Sequence, residues 1–355
     1  MEALVLVGGQ GTRLRPLTIG TPKPMLTAAG VPFLTHQLLR VRAAGVDHVV
    51  LATSYRAEVF AEHFGDGTAL GLRLDYVTEV EPLGTGGGIR NVADRLDSGP
   101  GDPVVVLNGD VLSGHDLAAQ VEVHRAGGAA VTLHLVEVDD ATAFGSVVTD
   151  ATGRVTQFLE KSPQPVTNRI NAGCYVFDRA VIDAIPPGRP VSVERETFPQ
   201  LVDSGAVVLG HLDDAYWLDV GTPAAYVRAS ADLVRGVIAS PAVPAPAESL
   251  LDPGVDIARD AVVIGGTYVA GGARVGSGAR VEGSVLMAGA VVDDGAVVVN
   301  SAVGRDAVVG PGCVLVDAVV GDGAALGAGN ELRAGARVWA GARLGDGAVR
   351  FSSDV

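Results

Sequence analysis

Apolar residues in about the first 230 positions alternate between short uninterrupted runs and stretches with helical spacing. The uninterrupted runs predict buried strands at Ala3–Val7, Val49–Thr53, Val104–Leu107 and Ala130–Val136. The helical spacing predicts helices at Phe33–Ala44, Arg56–Phe64 and Asp116–Arg125. Strands that alternate with helices indicate a Rossmann-like α/β fold, with a mostly parallel mixed sheet covered by helices. Ligands of such sheets bind at the carboxyl ends of the strands.

The last part of the chain has a different pattern, in which an aliphatic residue recurs every six positions. The spacing changes phase twice, and the residues that follow it are Ile257, Val263, Val269, Val275, Val281, then Val285, Val291, Val297, Val303, Val309, Leu315, then Val320, Leu326, Leu332, Val338 and Leu344. A period of six is typical of a β-helix, in which three short strands form a coil and the aliphatic side chain points inward. The pattern predicts about five coils, which we interpret as a stacking and oligomerising scaffold.

A Pro/Ala-rich stretch separates the two patterns and suits a semi-rigid linker. We therefore predict an α/β domain over residues 1–239, a linker over 240–251 and a β-helix domain over 252–355. Solenoid ends need capping, so we expect self-association through the β-helix.

Charge and composition exclude several classes of function. The chain has 355 residues and a net charge of −15, which argues against binding to nucleic acid but not against a small phosphorylated substrate. The longest apolar run near the start has only five residues, so we predict no membrane span and no signal peptide, and a cytoplasmic protein. Two cysteines are too few for a disulfide framework or a four-thiolate zinc site.

The basic residues are mostly arginine. Of the 26 basic residues only two are lysine, Lys23 and Lys161. We expect these two lysines where a compact ammonium is required and a planar guanidinium does not serve.

A glycine-rich motif follows the first predicted strand. Gly8–Thr18 has the sequence GGQGTRLRPLT, and Pro22-Lys23-Pro24 comes shortly after it. It lacks the Gly-Lys-Ser/Thr of a P-loop, and Leu14 replaces the third glycine of a dinucleotide fingerprint. Backbone N–H groups of such a turn can approach phosphate oxygens, and Arg13 and Lys23 add positive charge. On glycines alone, a simple turn is an equal alternative.

Together with motifs further along, this segment resembles the sugar-1-phosphate nucleotidyltransferases, and in particular their mannose-1-phosphate guanylyltransferase branch (GDP-mannose pyrophosphorylases). The matching pieces are EPLGTGGG at 81–88, NGD at 108–110, FLEK at 158–161, INAGCYVF at 170–177, SVERETFP at 192–199 and YWLDVGTP at 216–223. The resemblance spans both halves, because that family carries a C-terminal left-handed β-helix.

The resemblance implies a role for each motif. It implies nucleotide binding by Leu6, Val7, Gly8, Gly9, Gly11, Thr12, Arg13, Lys23, Glu79, Gly84, Thr85, Asn108 and Asp110. It implies sugar-phosphate binding by Gly145, Glu160, Lys161 and Asn171, with Arg13, Lys23 and Lys161 as the catalytic cations. It also implies Mg²⁺ on Asp110 and Asp219, since Mg²⁺ prefers carboxylate and phosphate oxygens.

Two glutamates are candidates for reading the base. The run Gly84–Gly88 would let a base or ribose lie against bare backbone. Glu79 precedes this run by five residues, and a carboxylate accepts the hydrogen bonds that the N1–H and N2–H₂ groups of guanine donate. Our hypothesis is that Glu79 recognises guanine, with Glu81 as the alternate candidate. A surface charge on a strand is an equal alternative.

The reaction that the resemblance implies is GMP transfer from GTP to α-D-mannose 1-phosphate, giving GDP-mannose and pyrophosphate. A glucose-1-phosphate nucleotidyltransferase using dTTP, ATP or UTP stays open, as does a non-catalytic regulatory relative that binds GDP-mannose. Acyl transfer by the β-helix is disfavoured, because residues 212–355 contain no histidine. Glu194, Arg195 and Glu196 have no role assigned from sequence, and the seven histidines are expected at scattered positions.

Overall fold

The computed structural model describes residues 1–54 and 56–350, so residues 351–355 of the predicted β-helix domain lie outside the described residues. The chain divides into two compact units. The first consists of Met1–Gly9 and Gln37–Trp217, and the second of Gln10–His36 and Leu218–Val355. These units do not follow chain order, and the domain boundaries given above stay a prediction.

The elements before residue 240 alternate as the apolar pattern predicts. The strands are β1 (Glu2–Leu6), β2 (Thr27–Ala28), β3 (Val31–Pro32), β4 (His48–Thr53), β5 (Arg73–Thr78), β6 (Pro103–Asn108), β7 (Val111–Ser113), β8 (Val131–Glu137), β9 (Gly145–Thr149), β10 (Val155–Glu160), β11 (Arg169–Asp178), β12 (Val208–Leu212) and β13 (Trp217–Asp219). The helices are α1 (Phe33–Ala43), α2 (Ala57–Phe64), α3 (Gly84–Asn91), α4 (Leu117–Gly127), α5 (Arg179–Ala184), α6 (Phe198–Asp203) and α7 (Pro223–Val234).

Within the described residues, nine strands form one mixed sheet in the first unit. Its main order is β10-β9-β11-β6-β1-β4-β5, with β8 pairing to β11 and β12 pairing to β8. The four strands β6, β1, β4 and β5 are parallel, whereas β11 is antiparallel to β6. The strands β1, β4 and β6 are buried almost throughout, as is typical of parallel strands whose sheet is covered on both faces, whereas β5 at the edge is only partly buried. The predicted α/β class is confirmed.

The register of the parallel strands brings their carboxyl ends to one edge. Leu6 at the end of β1 pairs with Ala52 on one side and with Asn108 on the other. Thr53 at the end of β4 pairs with Thr78 at the end of β5. The loops that follow these four strands therefore begin side by side.

Three histidines gather beneath α4, where scattered positions were expected. The rings of His115 and His134 stack with their centroids 3.6 Å apart, and His211 is the register partner of His134 on the neighbouring strand. Arg40 donates to Nδ1 of His115 over 2.8 Å, and Nε2 of His115 lies 2.9 Å from Oε1 of Gln120. Periodicity could not reveal this cluster, because it joins a loop and two strands that are distant in sequence.

The hexapeptide region forms short parallel strands stacked in three sheets, which is consistent with the predicted β-helix. The strands are β14 (Ser249–Leu251), β15 (Asp256–Ile257), β16 (Val262–Ile264), β17 (Thr267–Val269), β18 (Arg274–Val275), β19 (Arg280–Glu282), β20 (Val285–Leu286), β21 (Val291–Val292), β22 (Val297–Val299), β23 (Ala302–Val303), β24 (Val308–Val309), β25 (Val314–Val316), β26 (Val319–Val320), β27 (Ala325–Leu326), β28 (Glu331–Leu332), β29 (Arg337–Val338) and β30 (Arg343–Leu344). Each strand pairs in parallel with the strand three positions later in the chain, so that β14 pairs with β17, β15 with β18 and β16 with β19.

The predicted inward positions are wrong by one residue for the first three members of the second group, whereas Val303, Val309 and Leu315 lie in the core as predicted. The residues packed in the core of the β-helix are Leu286, Val292 and Val298, in place of the predicted Val285, Val291 and Val297. Each inward residue has an apolar neighbour, so the hydrophobic pattern alone does not distinguish the two. The physical cause is that several coils contain 17 residues, as in the pairing of Tyr268 with Val285, so one side of the coil has five residues.

No helix among the described residues is long and apolar enough to cross a membrane.

Candidate active site

The glycine-rich motif is divided between the two units, and Gln10–His36, here called the signature segment, belongs to the second. Gly11 has a φ of +60° and leads into a short 3₁₀ helix, Thr12–Leu14. The turn is tight, because an alanine Cβ at Gly11 would lie 2.9 Å from Cβ of Lys23. Thr18 closes it by donating from Oγ1 to the Gly11 carbonyl over 2.8 Å. The segment thereby holds the backbone around Gly11 against Lys23.

Arg13 lies beside a second predicted motif in the same unit. An alanine Cβ at Gly221 would be 2.9 Å from Nη2 of Arg13 and 3.0 Å from its Cζ. Gly221 follows the predicted metal ligand Asp219 by two residues. The second unit therefore brings together Arg13, one of the predicted catalytic cations, and the LDVGTP motif that contains the predicted metal ligand Asp219.

The start of the motif, Gly8 and Gly9, lies in the first unit at the carboxyl edge of the sheet. An alanine Cβ at Gly8 would meet Oγ of Ser54 at 3.0 Å and Oε2 of Glu79 at 3.8 Å. At Gly9 the same Cβ would meet no atom of the described residues within 4 Å. The backbone at Gly9 therefore has open space in the direction of a Cβ, at the sheet edge where ligands of α/β sheets bind.

Glu79 lies in this loop cluster, whereas Glu81 is exposed. The backbone N–H of Glu79 donates to the Thr53 carbonyl over 2.8 Å, which continues the β4–β5 pairing. An alanine Cβ at Gly88 would lie 2.6 Å from Oε1 of Glu79. Burial raises the pKa of Glu79, and a hydrogen bond from the backbone of Leu83 partly opposes this shift. The half-buried carboxylate lies between Gly8 and Gly88, two glycines of predicted nucleotide motifs.

Three glycines of the run 84–88 pack closely against residues 189–191. An alanine Cβ at Gly84 would lie 2.7 Å from the Val191 carbonyl oxygen, and one at Gly87 would lie 2.8 Å from the Arg189 carbonyl oxygen. The Gly86 N–H donates to the same Val191 carbonyl over 2.8 Å. Residues 189–191 therefore occupy the side of these three glycines on which a Cβ would lie, and the expectation that a base or ribose lies against this backbone stays a prediction.

Glu194, which sequence left without a role, organises the neighbourhood of Thr85. Its Oε2 accepts hydrogen bonds from Oγ1 of Thr85 and from Oγ of Ser192, each over 2.7 Å. The Thr85 hydroxyl in turn accepts from the backbone N–H of Val193 over 3.0 Å. Glu196 accepts from the Ser192 N–H over 3.1 Å, and this bond, followed by Arg189, lowers the pKa of Glu196. No local pattern could reveal the two hydrogen bonds of Thr85, which join residues more than 100 positions apart.

Two of the residues predicted for the sugar phosphate, Gly145 and Glu160, pair across β9 and β10. Glu160 is the register partner of Gly145, and an alanine Cβ at Gly145 would lie 2.8 Å from Oε2 of Glu160. Gly145 therefore makes room for this carboxylate. Burial, followed by the charge of Glu194, raises the pKa of Glu160.

Lys161 has a strained backbone conformation. Its φ is +50°, a region that residues other than glycine rarely adopt and that clusters at functional sites. The Lys161 N–H donates to the Phe144 carbonyl over 3.1 Å, and its side chain is 62% exposed, with Nζ 3.8 Å from Oε1 of Glu160. One of the two lysines of the chain thus projects into solvent from a fixed turn.

The asparagines Asn108 and Asn171 lie on neighbouring strands near an irregularity in β11. Nδ2 of Asn171 donates to the hydroxyl of Tyr175 over 2.9 Å, and its Oδ1 accepts from the Gly173 N–H over 3.2 Å. An alanine Cβ at Gly173 would lie 2.9 Å from Nδ2 of Asn108. The side chain of Asn171 is therefore held by its own strand.

The predicted metal ligands lie in different units. Asp110 follows β6 by two residues in the first unit, and Asp219 ends β13 in the second. Both side chains are partly exposed carboxylates, and oxygen donors of this kind fit Mg²⁺. The pairing of the two on one ion stays a prediction.

Comparison with known proteins gives a consistent result for both halves. A family model described as nucleotidyl transferase matches residues 2–236, and one described as GMPPB C-terminal domain matches residues 246–346. The chain is 57% identical to a mannose-1-phosphate guanylyltransferase of Mycobacterium tuberculosis, over 76% of this chain and 75% of that protein. It is 41% identical to mannose-1-phosphate guanylyltransferase 1 of Arabidopsis thaliana, over 64% of this chain and 63% of that protein.

A solved structure supports the fold. The crystal structure of HddC from Yersinia pseudotuberculosis complexed with GMP-PN is 30% identical and has a TM-score of 0.54, covering 64% of this chain and 97% of that one.

Proposed function

The chain belongs to the nucleotidyltransferase family, in the branch of the mannose-1-phosphate guanylyltransferases, and from this premise we propose that it transfers GMP from GTP to α-D-mannose 1-phosphate, giving GDP-mannose and pyrophosphate. The relatives that carry this name support the choice of base and sugar. The position of the Glu79 carboxylate, between Gly8 and Gly88 at the nucleotide edge of the sheet, is the observation that carries the proposal. A carboxylate there accepts from N1–H and N2–H₂ of guanine, which adenine and uracil do not both offer.

The attacking group is the phosphate of the sugar substrate. Its second pKa is near 6, by analogy with protein phosphates, so the oxygen is already an anion at pH 7 and needs no general base. The reaction therefore requires two polyanions to be brought together for in-line displacement at the α-phosphorus. We assign the attacking phosphate to Lys161, whose exposed ammonium is carried by a fixed turn.

The nucleotide phosphates need positive charge of their own. We assign the departing pyrophosphate to Arg13 and to the backbone N–H groups of the glycine-rich motif, and the phosphate chain to Lys23. Glu160, which Gly145 makes room for, is assigned to a hydroxyl of the sugar. Asp110 and Asp219 would hold Mg²⁺, which supplies charge neutralisation at the phosphate oxygens when bound.

A nucleotide panel tests the proposal. The purified protein is mixed with Mg²⁺, mannose 1-phosphate and each of GTP, ATP, UTP, CTP and dTTP in turn, with glucose 1-phosphate in parallel, and pyrophosphate release is followed. We expect a strong preference for GTP with mannose 1-phosphate. Release with another pair would contradict the assignment of Glu79, and no release with any pair would favour a regulatory relative.

Light scattering of the same sample tests the predicted homo-oligomer.

A further inference from the structure

One face of the β-helix is buried although its side chains point outward. In the sheet β14-β17-β20-β23-β26-β29 the register aligns Tyr268, Val285, Ala302, Val319 and Arg337 in one column. The neighbouring column, which includes Leu286 and Val338, fills the core of the β-helix. The first four residues of the outer column are nevertheless at most 3% exposed. Other elements of the second unit must therefore cover this face.

The signature segment is one of the elements that cover it, and it runs along the coils in reverse order, so that its earlier residues lie against later coils. An alanine Cβ at Gly30 would lie 3.8 Å from Cε2 of Tyr268 in an early coil. Thr21 accepts from Nη1 of Arg305 over 3.2 Å, further along the β-helix. An alanine Cβ at Gly321, in a later coil, would lie 3.1 Å from Cβ of Pro16.

The beginning of the signature segment accepts two hydrogen bonds from the β-helix. Nη1 of Arg337, at the end of the outer column, donates to the carbonyl of Arg13 over 2.8 Å and to the carbonyl of Arg15 over 2.9 Å. A charged donor that bonds two carbonyls fixes the backbone on both sides of Leu14. This is the turn that carries the guanidinium assigned to pyrophosphate.

α7 holds the same segment from its own side. The backbone N–H of Ala29 donates to Oγ of Ser230 over 3.0 Å, and the hydroxyl of Tyr226 donates to the Thr27 carbonyl. These contacts fix the far end of the signature segment. The end near Arg13 carries the two hydrogen bonds from Arg337.

We propose that Arg337 is a positioning residue for catalysis, and that this face of the β-helix holds the signature segment in its active conformation. The inference rests on the proposed function only for the role of Arg13. It changes the interpretation of the hexapeptide region from an oligomerising scaffold to a part that also orders the phosphate-binding turn.

The test combines activity with hydrogen exchange in Arg337→Ala, with Arg343→Ala as the matched control. Arg343 is an exposed arginine of the next strand, β30, in a different sheet. We expect kcat/KM for the nucleotide to fall by about ten- to a hundredfold in Arg337→Ala, because a shift of about 1 Å at a reacting group has that effect. We expect amides of residues 11–19 to exchange faster, with residues 37–217 unchanged and Arg343→Ala like the wild type.

Two further measurements separate positioning from general stability. Arg337→Lys keeps a cation on a side chain one bond shorter, and should lie between wild type and Arg337→Ala in both measurements. Guanidinium ion at a non-denaturing concentration should partly restore activity to Arg337→Ala and not change the control. If exchange becomes faster throughout the second unit in Arg337→Ala, the exchange of Arg337→Lys is the deciding measurement. We expect faster exchange in Arg337→Lys only at residues 11–19.

The outcomes distinguish this inference from the proposed function. Unchanged exchange at residues 11–19 in both Arg337 variants, or an equal increase in Arg343→Ala, would overturn the inference. Absence of nucleotide transfer in the wild type would overturn the proposed function, and the exchange comparison would still decide whether Arg337 orders the turn.

Discussion

Gly221 offers a way to move the Arg13 guanidinium without altering Arg13 itself. Its alanine Cβ would lie 2.9 to 3.0 Å from Nη2, Nη1 and Cζ of Arg13. Ordinary contacts between such atoms begin at about 3.5 Å, so Gly221→Ala must displace the guanidinium by at least about 0.5 Å. The Gly221 backbone does not have a positive φ, so alanine causes no backbone strain there.

The expected effect on function is much larger than the effect on stability. Arg13 is exposed and its guanidinium is the end of a flexible side chain, so the free energy of unfolding should change by less than about 0.5 kcal/mol. A displacement approaching 1 Å at a group that contacts the leaving pyrophosphate costs about a hundredfold in rate. We therefore expect kcat/KM to fall by about ten- to a hundredfold at an unchanged melting temperature.

The assay is pyrophosphate release, with thermal unfolding measured on the same samples. Gly20→Ala is the matched control, since its Cβ would meet no atom within 4 Å, and it should behave as wild type. The double variant Gly221→Ala with Arg13→Ala should be no slower than Arg13→Ala alone, because both changes act on the same guanidinium. Wild-type kcat/KM in Gly221→Ala, or full additivity in the double variant, would refute the reasoning.

Three other predictions concern the sugar phosphate, the base and the buried histidines. Lys161→Arg should lower kcat by about 10²- to 10³-fold, because loss of a single charge-stabilising donor has an effect of this size. The control variant Arg125→Lys, at an exposed position, should have no effect. Near wild-type turnover in Lys161→Arg would contradict the assignment of Lys161 to the attacking phosphate. Glu79→Gln should weaken the preference for GTP over dTTP, whereas Glu81→Gln should not, and the reverse pattern would move the base reader to Glu81. Burial lowers the pKa of His134 to about 3, and burial together with the Arg40 charge holds the pKa of His115 well below its ordinary value. The two histidines therefore stay uncharged in the folded state, whereas in the unfolded chain they take up protons below about pH 6.5. As the pH falls further, the free energy of unfolding should decrease by about 1.4 kcal/mol per pH unit for each histidine. Urea titrations between pH 7 and pH 5 should show a shallower dependence in His134→Leu, and an unchanged slope would contradict the argument.

The parts of the fold that short-range patterns determine were predictable. Five-residue apolar runs located β1 and β4 to within a residue or two, because a strand buried on both faces needs nothing else. The period of six predicted the stacked strands, because each coil repeats the same short local pattern of inward aliphatic residues. It misplaced Val285 and its two successors because a coil of 17 residues shifts the phase between two equally apolar neighbours.

What sequence could not show are the contacts between distant residues. The Thr85–Glu194 hydrogen bond and the cover of Gly84 by Val191 each join segments about 100 residues apart, and the motifs that contain these residues do not show which of them pair. Arg337 is one arginine among 24 and gives no sequence signal, because its role depends on the end of an outer column that only the coil register defines. Candidate ligand groups were predictable from motifs, whereas the residues that position them were not.

The most direct test of the central claim is a competition experiment in one vessel. Equal concentrations of GTP, ATP, UTP, CTP and dTTP are offered together with mannose 1-phosphate and glucose 1-phosphate, in the presence of Mg²⁺, and the nucleotide sugars formed are separated and identified by mass and by chromatography against standards. The account predicts GDP-mannose as the dominant product. A different dominant nucleotide sugar, or none, would contradict it.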